Sequence, residues 1–343
     1  MKALVLTEYK KFEIQEVPIP EIQPDEVLVK VKAVGICGSD VHGMDGSTGR
    51  RIPPIIMGHE ASGVIEKMGS AVSNWQVGDR VTFDSTIYRL DDWYSRKGLY
   101  NLSDNRQVLG VSCPEFKRDG AFAEYVAVPQ HVLYKIPDNV SFEHASMVEP
   151  VAVALHAINL TKISVNDTAV VGGAGMIALF VIQLLKLVGC GQIITFDLDP
   201  DRLDLALKLG ATHAFQADSV NIPEEVKRLT NGRGVDVGFE VVGITSVLKT
   251  VIESVRKGAQ VTLVGNVSAN VELPLQQVVT RQLKLQGSCA ICGEYEAVLD
   301  LMNDRKIKID PLLSAVEPLE EGALWFNRLH NCEKGLMKVV LKP

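Results

Sequence analysis

Residues 168–178 read TAVVGGAGMIA, an apolar run, a cluster of glycines and the start of a second apolar run. The first run has the length and β-branched content of a buried strand, and the second continues as an apolar helix toward Gly189. The segment Gly173-Ala174-Gly175-Met176-Ile177-Ala178 is therefore a G-x-G-x-x-A turn set between a strand and a helix. This stretch predicts a parallel α/β domain.

The glycine turn also predicts a dinucleotide site. Its glycines allow close backbone approach, and the helix that follows offers free N–H groups to a pyrophosphate. Asp197 lies about 20 residues further on, where its carboxylate can accept hydrogen bonds from ribose hydroxyls and repel a 2′-phosphate. Because Leu198 and not a cation follows, NAD is favoured over NADP. The alternative is that Asp197 or Asp199 merely caps a helix beginning near Pro200.

The pattern around this turn predicts a doubly wound parallel sheet. Strands and helices alternate after Pro150. The predicted strands are Thr168–Gly172, Gln192–Phe196, Val235–Val242, Gln260–Val264 and Lys284–Gly287, with a helix over Asp201–Leu209.

The region before residue 150 predicts a different fold, an antiparallel β-barrel. Its short strands are separated by turns and are rich in β-branched residues. They are Val27–Val31, Gly63–Lys67, Arg80–Phe83 and Ala121–Val128. The last fifty residues contain helical patterns over Tyr295–Asn303 and Leu319–Leu329 and a strand over Lys338–Leu341, and we expect them to return to the first domain. The predicted domains are 1–151 with 289–343, and 152–288.

Composition excludes several classes of protein. The 343 residues carry a net charge of −7 with scattered cations, which argues against a nucleic-acid partner. The apolar stretch 169–185 is interrupted by Gln183 and by the glycines, so we expect no membrane span. Six irregularly spaced cysteines and the lack of an export signal favour the cytoplasm, and the CxxC pair Cys289 and Cys292 is interpreted as structural.

Four separated residues have side chains that could hold a metal. Cys37, His59, Glu60 and Glu149 supply a thiolate, an imidazole and carboxylates, which are zinc-binding donors. Taken singly, a buried cysteine is usually a small hydrophobe and a lone histidine is rarely a ligand. Gly58-His59-Glu60, however, follows an apolar run, as Cys37 does, and donors at strand ends are well placed for a catalytic site. The combination predicts one zinc ion with an open position.

The chain resembles the zinc-dependent medium-chain alcohol and polyol dehydrogenases along nearly its whole length, most of all sorbitol dehydrogenase. The resemblance is carried by the glycine turn and by Cys37-Gly38-Ser39-Asp40-Val41-His42, Gly58-His59-Glu60-Ala61-Ser62-Gly63, Gly78-Asp79-Arg80-Val81 and Glu149-Pro150. It implies a GroES-like β-barrel catalytic domain joined to a Rossmann NAD-binding domain.

The resemblance also implies roles for particular residues. Cys37, His59 and Glu60 would surround the zinc, Glu149 would be a ligand or a water-mediated partner, and Ser39 and His42 would relay a proton. The predicted catalytic residues are thus Ser39, His42, Glu60 and Glu149. The predicted cofactor-binding residues are Gly173, Gly175, Met176, Ile177, Asp197, Arg202, Val264, Gly265, Asn266, Ser288, Cys289 and Ala290.

Three departures from the family pattern bear on metal content and substrate. The four cysteines that bind a structural zinc in many relatives are replaced by Arg89, Asp92, Ser95 and Ser103, so we expect no structural zinc. Ala290-Ile291 replaces an Arg-Tyr pair and Gly43 replaces an aromatic residue of the animal enzymes, which argues against sorbitol itself. Arg50-Arg51 could serve a phosphorylated polyol, or could be a solvated pair of charges.

The predicted activity is hydride transfer between a secondary alcohol of a polyol, or of its phosphate, and NAD, in a cytoplasmic homodimer or homotetramer. One alternative is a zinc-free quinone or enoyl reductase of the same architecture. Others are a threonine or butanediol dehydrogenase, and a protein that binds the dinucleotide without turnover.

Overall fold

The computed structural model describes residues 1–343 and separates into two compact units. The first contains Met1–Glu149, Ile291–Arg305 and Ile309–Pro343, and the second contains Pro150–Ala290 and Lys306–Lys308. The domain ranges predicted from the sequence have their borders after residues 151 and 288, against 149 and 290 for the units, and they assign 306–308 to the first domain. They remain a prediction of where the domains begin and end.

The secondary structure comprises eighteen strands and ten α-helices. The strands are β1 (Lys2–Glu8), β2 (Lys11–Glu16), β3 (Glu26–Gly35), β4 (Ile55–Ile56), β5 (Glu60–Met68), β6 (Arg80–Phe83), β7 (Thr86–Ile87), β8 (Gln107–Val108), β9 (Tyr125–Pro129), β10 (Leu133–Lys135), β11 (Thr168–Gly172), β12 (Gln192–Asp197), β13 (His213–Gln216), β14 (Val235–Glu240), β15 (Val255–Leu263), β16 (Lys284–Gly287), β17 (Leu313–Pro318) and β18 (Lys338–Lys342). The helices are α1 (Gly38–Gly43), α2 (Phe142–Ala145), α3 (Val148–Asn159), α4 (Met176–Leu187), α5 (Pro200–Leu209), α6 (Ile222–Leu229), α7 (Thr245–Ser254), α8 (Leu275–Thr280), α9 (Tyr295–Asn303) and α10 (Gly322–His330).

The first unit is built on a seven-stranded sheet centred on β3. Strands β10, β6, β5, β3, β18 and β17 follow one another in this sheet, and β9 also pairs with β3. A three-stranded sheet, β2-β1-β4, completes the framework, and apolar side chains of β1, β3, β5 and α10 share one core. The β-rich character predicted for this region is confirmed, as is the return of the last strand: β18 pairs antiparallel with β3.

One strand of the first unit begins later than predicted. The sequence predicts a strand over Ala121–Val128, whereas β9 begins at Tyr125. The preceding residues instead hydrogen-bond to the segment before His59: Ala121 N donates to Gly58 O at 2.9 Å and Phe122 N to Met57 O at 2.9 Å. These bonds hold the backbone that leads to the candidate metal ligands.

The second unit is a six-stranded parallel sheet in the order β13-β12-β11-β14-β15-β16. Helix α4 contacts α5, and α6 contacts α7, with α5 on β12 and β13 and α7 on β11 and β14. The predicted doubly wound fold is confirmed, although β14 ends at Glu240, before the predicted Val242, and β15 begins earlier than predicted, at Val255. The strand order reverses between β11 and β14, which is where such sheets bind ligands.

The apolar stretch 169–185 is divided between β11 and α4, as predicted. No helix of the structure has both the length and the apolar character that crossing a membrane requires.

Candidate metal centre and dinucleotide turn

Three candidate metal ligands meet where β3 and β5 pair. Gly35 at the end of β3 lies opposite Glu60 at the start of β5, so Cys37, which caps α1 just beyond β3, comes close to His59 and Glu60. One ligand atom from each of the three side chains lies within 4.8 Å of the other two. A thiolate, an imidazole and a carboxylate at this spacing are a donor set that fits zinc.

The Glu60 carboxylate is fully buried and is paired with a buried cation. Lys338 Nζ of β18 donates to Glu60 Oε2 at 2.5 Å and to the carbonyl of Ile36 at 3.0 Å. Burial alone would lower the pKa of Lys338, but the charges of Glu60 and Cys37 outweigh burial and raise it. Oε1 of Glu60 is buried without a hydrogen-bond partner, which leaves one oxygen of this carboxylate for a metal ion.

His59 is oriented by a second buried carboxylate. Its Nδ1 faces Oδ2 of Asp40 at 3.4 Å, an ion-pair distance without a hydrogen bond between the two atoms, and this pairing leaves Nε2 as the nitrogen for a metal. Asp40 in turn is paired with Arg51, whose Nη2 lies 2.8 Å from Oδ1. Burial alone would raise the pKa of Asp40, but the charges of His59 and Arg51 outweigh it and lower that pKa. Likewise, Asp40 and Cys37 raise the pKa of His59 against the effect of its burial.

The predicted proton-relay residues lie on α1, next to Cys37. Ser39 Oγ donates to Cys37 Sγ at 3.3 Å, and Ser39 N lies 3.5 Å from the same sulfur. His42 is exposed, three residues further along the helix, and its carbonyl accepts a hydrogen bond from Ser47 Oγ at 2.7 Å. The helix thus places Ser39 at the metal ligands and His42 toward the surface.

Glu149, the fourth predicted ligand, lies in the first turn of α3, and the charges of the same cluster act on its carboxylate. Burial and the neighbouring Glu60 raise its pKa to about 7, while His59 and Lys338 act in the opposite direction. A buried acid that the sequence analysis missed, Asp84, lies directly after β6. Burial raises the pKa of Asp84 to about 7, and its Oδ2 has no hydrogen-bond partner.

Arg51 contradicts one sequence interpretation. Arg50 is exposed, but Arg51 is buried against Asp40, so the two do not form a solvated pair of charges. The guanidinium of Arg51 is paired with the carboxylate of Asp40, so Arg50 is the member of the pair that lies on the surface.

The four positions that replace structural-zinc cysteines are joined by hydrogen bonds. Asp92 accepts from the backbone N–H of Ser95 at 2.7 Å and from the hydroxyl of Ser103, and Arg89 N donates to Ser103 Oγ at 3.2 Å. The sequence provides a polar cross-link where relatives have a metal. Cys292, in the first unit, donates to the carbonyl of Gly98 in this lobe at 3.0 Å.

In the second unit, the predicted glycine turn follows β11. Gly173 has a left-handed φ of +101°, and its N–H donates to the carbonyl of Phe196 at 2.9 Å. Gly175 caps α4 without any side-chain hydrogen bond to the first helical turn. Because the N–H groups of that turn are not capped, they can bind an anionic group such as a pyrophosphate.

Asp197 and Asp199 have different roles. Asp199 caps α5 by accepting from Asp201 N at 2.9 Å, which is the alternative raised from the sequence. Asp197 Oδ2 instead accepts from Ala174 N in the glycine turn at 2.6 Å, and its Oδ1 accepts from Asp199 N at 3.0 Å. Both carboxylate oxygens of Asp197 therefore accept backbone hydrogen bonds, and the residue is held at the glycine turn. Arg202 pairs with Asp199 at 3.6 Å.

The other predicted cofactor residues lie along the same edge of the sheet. Val264 and Gly265 donate to the carbonyl of Glu240 at 2.8 and 3.1 Å, and Ser288 N donates to Leu263 O at 2.9 Å. Met176 and Ile177 begin α4, while Asn266, Cys289 and Ala290 lie in the loops after β15 and β16. Sequence reasoning missed Glu240, whose carboxylate accepts from Gly243 N at 2.7 Å and shapes the turn after β14.

Comparisons with known proteins agree with this architecture. Residues 23–138 match the family described as alcohol dehydrogenase GroES-like domain, and residues 177–304 match the zinc-binding dehydrogenase family. The chain is 34% identical to the sorbitol dehydrogenase of Bacillus subtilis (strain 168), with 100% of this chain and 97% of that protein covered.

Two solved structures extend the likeness. Galactitol-1-phosphate dehydrogenase from Escherichia coli superposes with a TM-score of 0.92 at 28% identity, covering 100% of both chains. A protein from Sinorhizobium meliloti 1021, described as a zinc-binding dehydrogenase and bound to NADP, gives a TM-score of 0.90 at 30% identity, covering 100% of this chain and 99% of that one. The chain belongs to the family of zinc-dependent medium-chain dehydrogenases that includes the polyol dehydrogenases.

Proposed function

We propose that this protein transfers hydride between a secondary hydroxyl of a polyol, or of a polyol phosphate, and NAD. One zinc ion per chain would be held by Cys37, His59 and Glu60, with Glu149 as ligand or water-mediated partner. The observation that carries the proposal is the convergence of three donors within 4.8 Å. The same chain has a glycine turn before α4 whose first helical turn is not capped by a side chain. The polyol assignment follows the sorbitol and galactitol-1-phosphate dehydrogenases that the chain resembles.

Zinc would supply Lewis acidity, which lowers the pKa of a coordinated hydroxyl by several units and so eases its deprotonation. The protein's own groups then have defined tasks. Ser39 Oγ would take up the substrate proton while it releases its own hydroxyl proton, and His42, on the exposed side of α1, would pass a proton to solvent. Asp40 keeps His59 in one tautomer, and Lys338 balances the charge of Glu60. The residues of the glycine turn bind the cofactor pyrophosphate.

The cofactor choice depends on Asp197. Its carboxylate, held beside the glycine turn, would accept hydrogen bonds from the ribose hydroxyls and repel a 2′-phosphate. One relative was solved with NADP bound, so the preference of this chain for NAD or NADP has to be measured. We expect NAD to be preferred, and Asp197→Ser to shift the kcat/KM ratio of NAD over NADP at least about tenfold toward NADP. A wild-type preference for NADP would contradict the assignment.

The decisive experiment combines a substrate panel with metal analysis. Purified protein would be assayed by NADH absorbance with hexitols, pentitols, their phosphates, threonine and butanediol, and zinc would be counted by mass spectrometry. We expect polyol-dependent turnover with one zinc per chain. Turnover with quinones or enones in zinc-free protein would favour the reductase alternative, and a preference for threonine or butanediol would replace the polyol assignment.

We also propose that the protein acts as a cytoplasmic homodimer or homotetramer. None of its six cysteines is in a disulfide, and this observation and its family membership support the assignment. Light scattering of the purified protein would report the subunit number, and a monomer would contradict it.

A further inference from the structure

Arg51 connects two residues that serve the candidate metal centre in different ways. Its side chain is almost fully buried, with 4% exposure. Nε and Nη2 donate to Asp40 Oδ1 at 3.1 and 2.8 Å, and Nη2 also donates to Ser39 Oγ at 3.2 Å. Asp40 orients His59, and Ser39 contacts the Cys37 sulfur. A single guanidinium therefore contacts both the orienting acid and the relay hydroxyl.

Gly43 makes room for this guanidinium. A Cβ atom at position 43 would lie 2.6 Å from Cγ and 3.4 Å from Cβ of Arg51, and 3.3 Å from Thr48 Oγ1. Gly43 is the last residue of α1, and its φ lies outside the left-handed region. The backbone does not need glycine there, since alanine is the better helix former. The space that Arg51 occupies explains the glycine.

We propose that Arg51 is a positioning residue for the dehydrogenase reaction and that Gly43 is the residue that lets it act. The proposal rests on the proposed function. Because Nη2 donates to Ser39 Oγ, the hydroxyl proton of Ser39 points away from Arg51, and Cys37 Sγ accepts it. Arg51 also balances the buried charge of Asp40, so that Asp40 can hold His59 without a further cation.

The pair also accounts for the Gly43 departure from the animal sorbitol dehydrogenases. An aromatic side chain at position 43 cannot coexist with Arg51 in this conformation, because even a methyl group would overlap Cγ. The chain thus uses the space beside His42 for an arginine that contacts other protein groups, where the animal enzymes have an aromatic side chain.

A double-mutant cycle over Gly43→Ala and Arg51→Ala tests the pair. In the wild-type background, Gly43→Ala should displace Arg51, lowering both the apparent unfolding midpoint and kcat, the latter about 10- to 100-fold. In the Arg51→Ala background the same change should leave the midpoint unchanged or slightly raised. KM for NAD should stay within about twofold throughout, because the glycine turn is untouched. Arg51→Lys, which can reach Asp40 but cannot contact both partners in a fork, should recover part of kcat.

Equal losses from Gly43→Ala in both backgrounds would overturn the proposal, as would an unchanged kcat in Arg51→Ala. If Arg51→Ala alone is not recovered folded, the cycle is run in Asp40→Asn/Arg51→Ala, which leaves no unbalanced charge. The unfolding midpoints need no substrate, so they test the pair separately from the activity. A wild-type protein that oxidises no alcohol would overturn the proposed function, and additive midpoints would overturn the Gly43–Arg51 pair.

Discussion

The metal centre and the dinucleotide turn are built in opposite ways. The metal centre brings together side chains that are far apart in the sequence, and it contains the buried ion pair between Lys338 and Glu60. The proposed dinucleotide turn is a continuous segment, residues 173–177, and the groups that would bind the cofactor there are backbone N–H groups. Substitutions at the metal centre should act by changing buried charge or metal content. Substitutions at the glycine turn should act by filling the space that lets a ligand approach the backbone. Four predictions test this contrast.

The largest effect is expected for Cys37→Ala. Removal of the thiolate takes one of three converging donors away, so zinc should be lost and turnover should fall roughly a thousandfold or more. Zinc content and kcat measured on the same preparation check this result. Cys332→Ala, at an exposed cysteine, is the matched control and should keep both. Full turnover of Cys37→Ala without zinc would remove the basis for the metal centre.

The next effect concerns Lys338. Lys338→Met leaves the Glu60 carboxylate buried without its cation and should lower the apparent free energy of unfolding by about 3–5 kcal/mol. Urea unfolding of wild type and variant gives the value. The double variant Lys338→Met/Glu60→Gln removes both charges and should recover most of the loss. If the single and double variants are equally stable, the unpaired Glu60 charge is not the cause of the lost stability.

At the glycine turn, two alanine substitutions should separate folding from binding. Gly173→Ala requires alanine at φ +101° with its Cβ 2.7 Å from Val242, so it should destabilise the protein. Gly175→Ala meets nothing within 4 Å in the protein, and should leave the unfolding midpoint unchanged while weakening NADH binding about 10- to 100-fold. Calorimetric titration with NADH measures that difference. Unchanged affinity in Gly175→Ala would show that the pyrophosphate does not approach this turn.

The smallest effect concerns a charge of the second unit that lies away from the glycine turn. Hydrogen bonds from Arg256 and Thr168 lower the pKa of Asp236 from 3.8 to about 2, against the effect of its burial. Since the folded pKa lies below the unfolded one, the stabilisation is complete above pH 3.8 and is lost as pH falls through 2. About 1 kcal/mol should be lost by pH 3. The urea midpoints of wild type and Asp236→Asn should therefore differ at pH 7 and lie closer together at pH 3. An equal difference at both pH values would contradict the lowered pKa of Asp236.

The same contrast explains what could be predicted from the sequence. The strand, turn and helix around Gly173 are local and periodic, so their boundaries were predicted closely. The donors Cys37, His59 and Glu60 were recognised by their chemistry and by family resemblance. Lys338 and Arg51 were missed as partners because pairing depends on β18 returning to β3 and on the path of the loop after α1. No local pattern marks a lysine in an apolar strand as the counter-ion of a residue 278 positions away.

The position of Lys338 also has a consequence for biosynthesis. On the ribosome, Cys37, His59 and Glu60 emerge long before β18, so the growing chain carries the Glu60 carboxylate without its cation until residue 338 has been translated. The Lys338–Glu60 ion pair therefore forms only after β18 has been synthesised and has paired with β3.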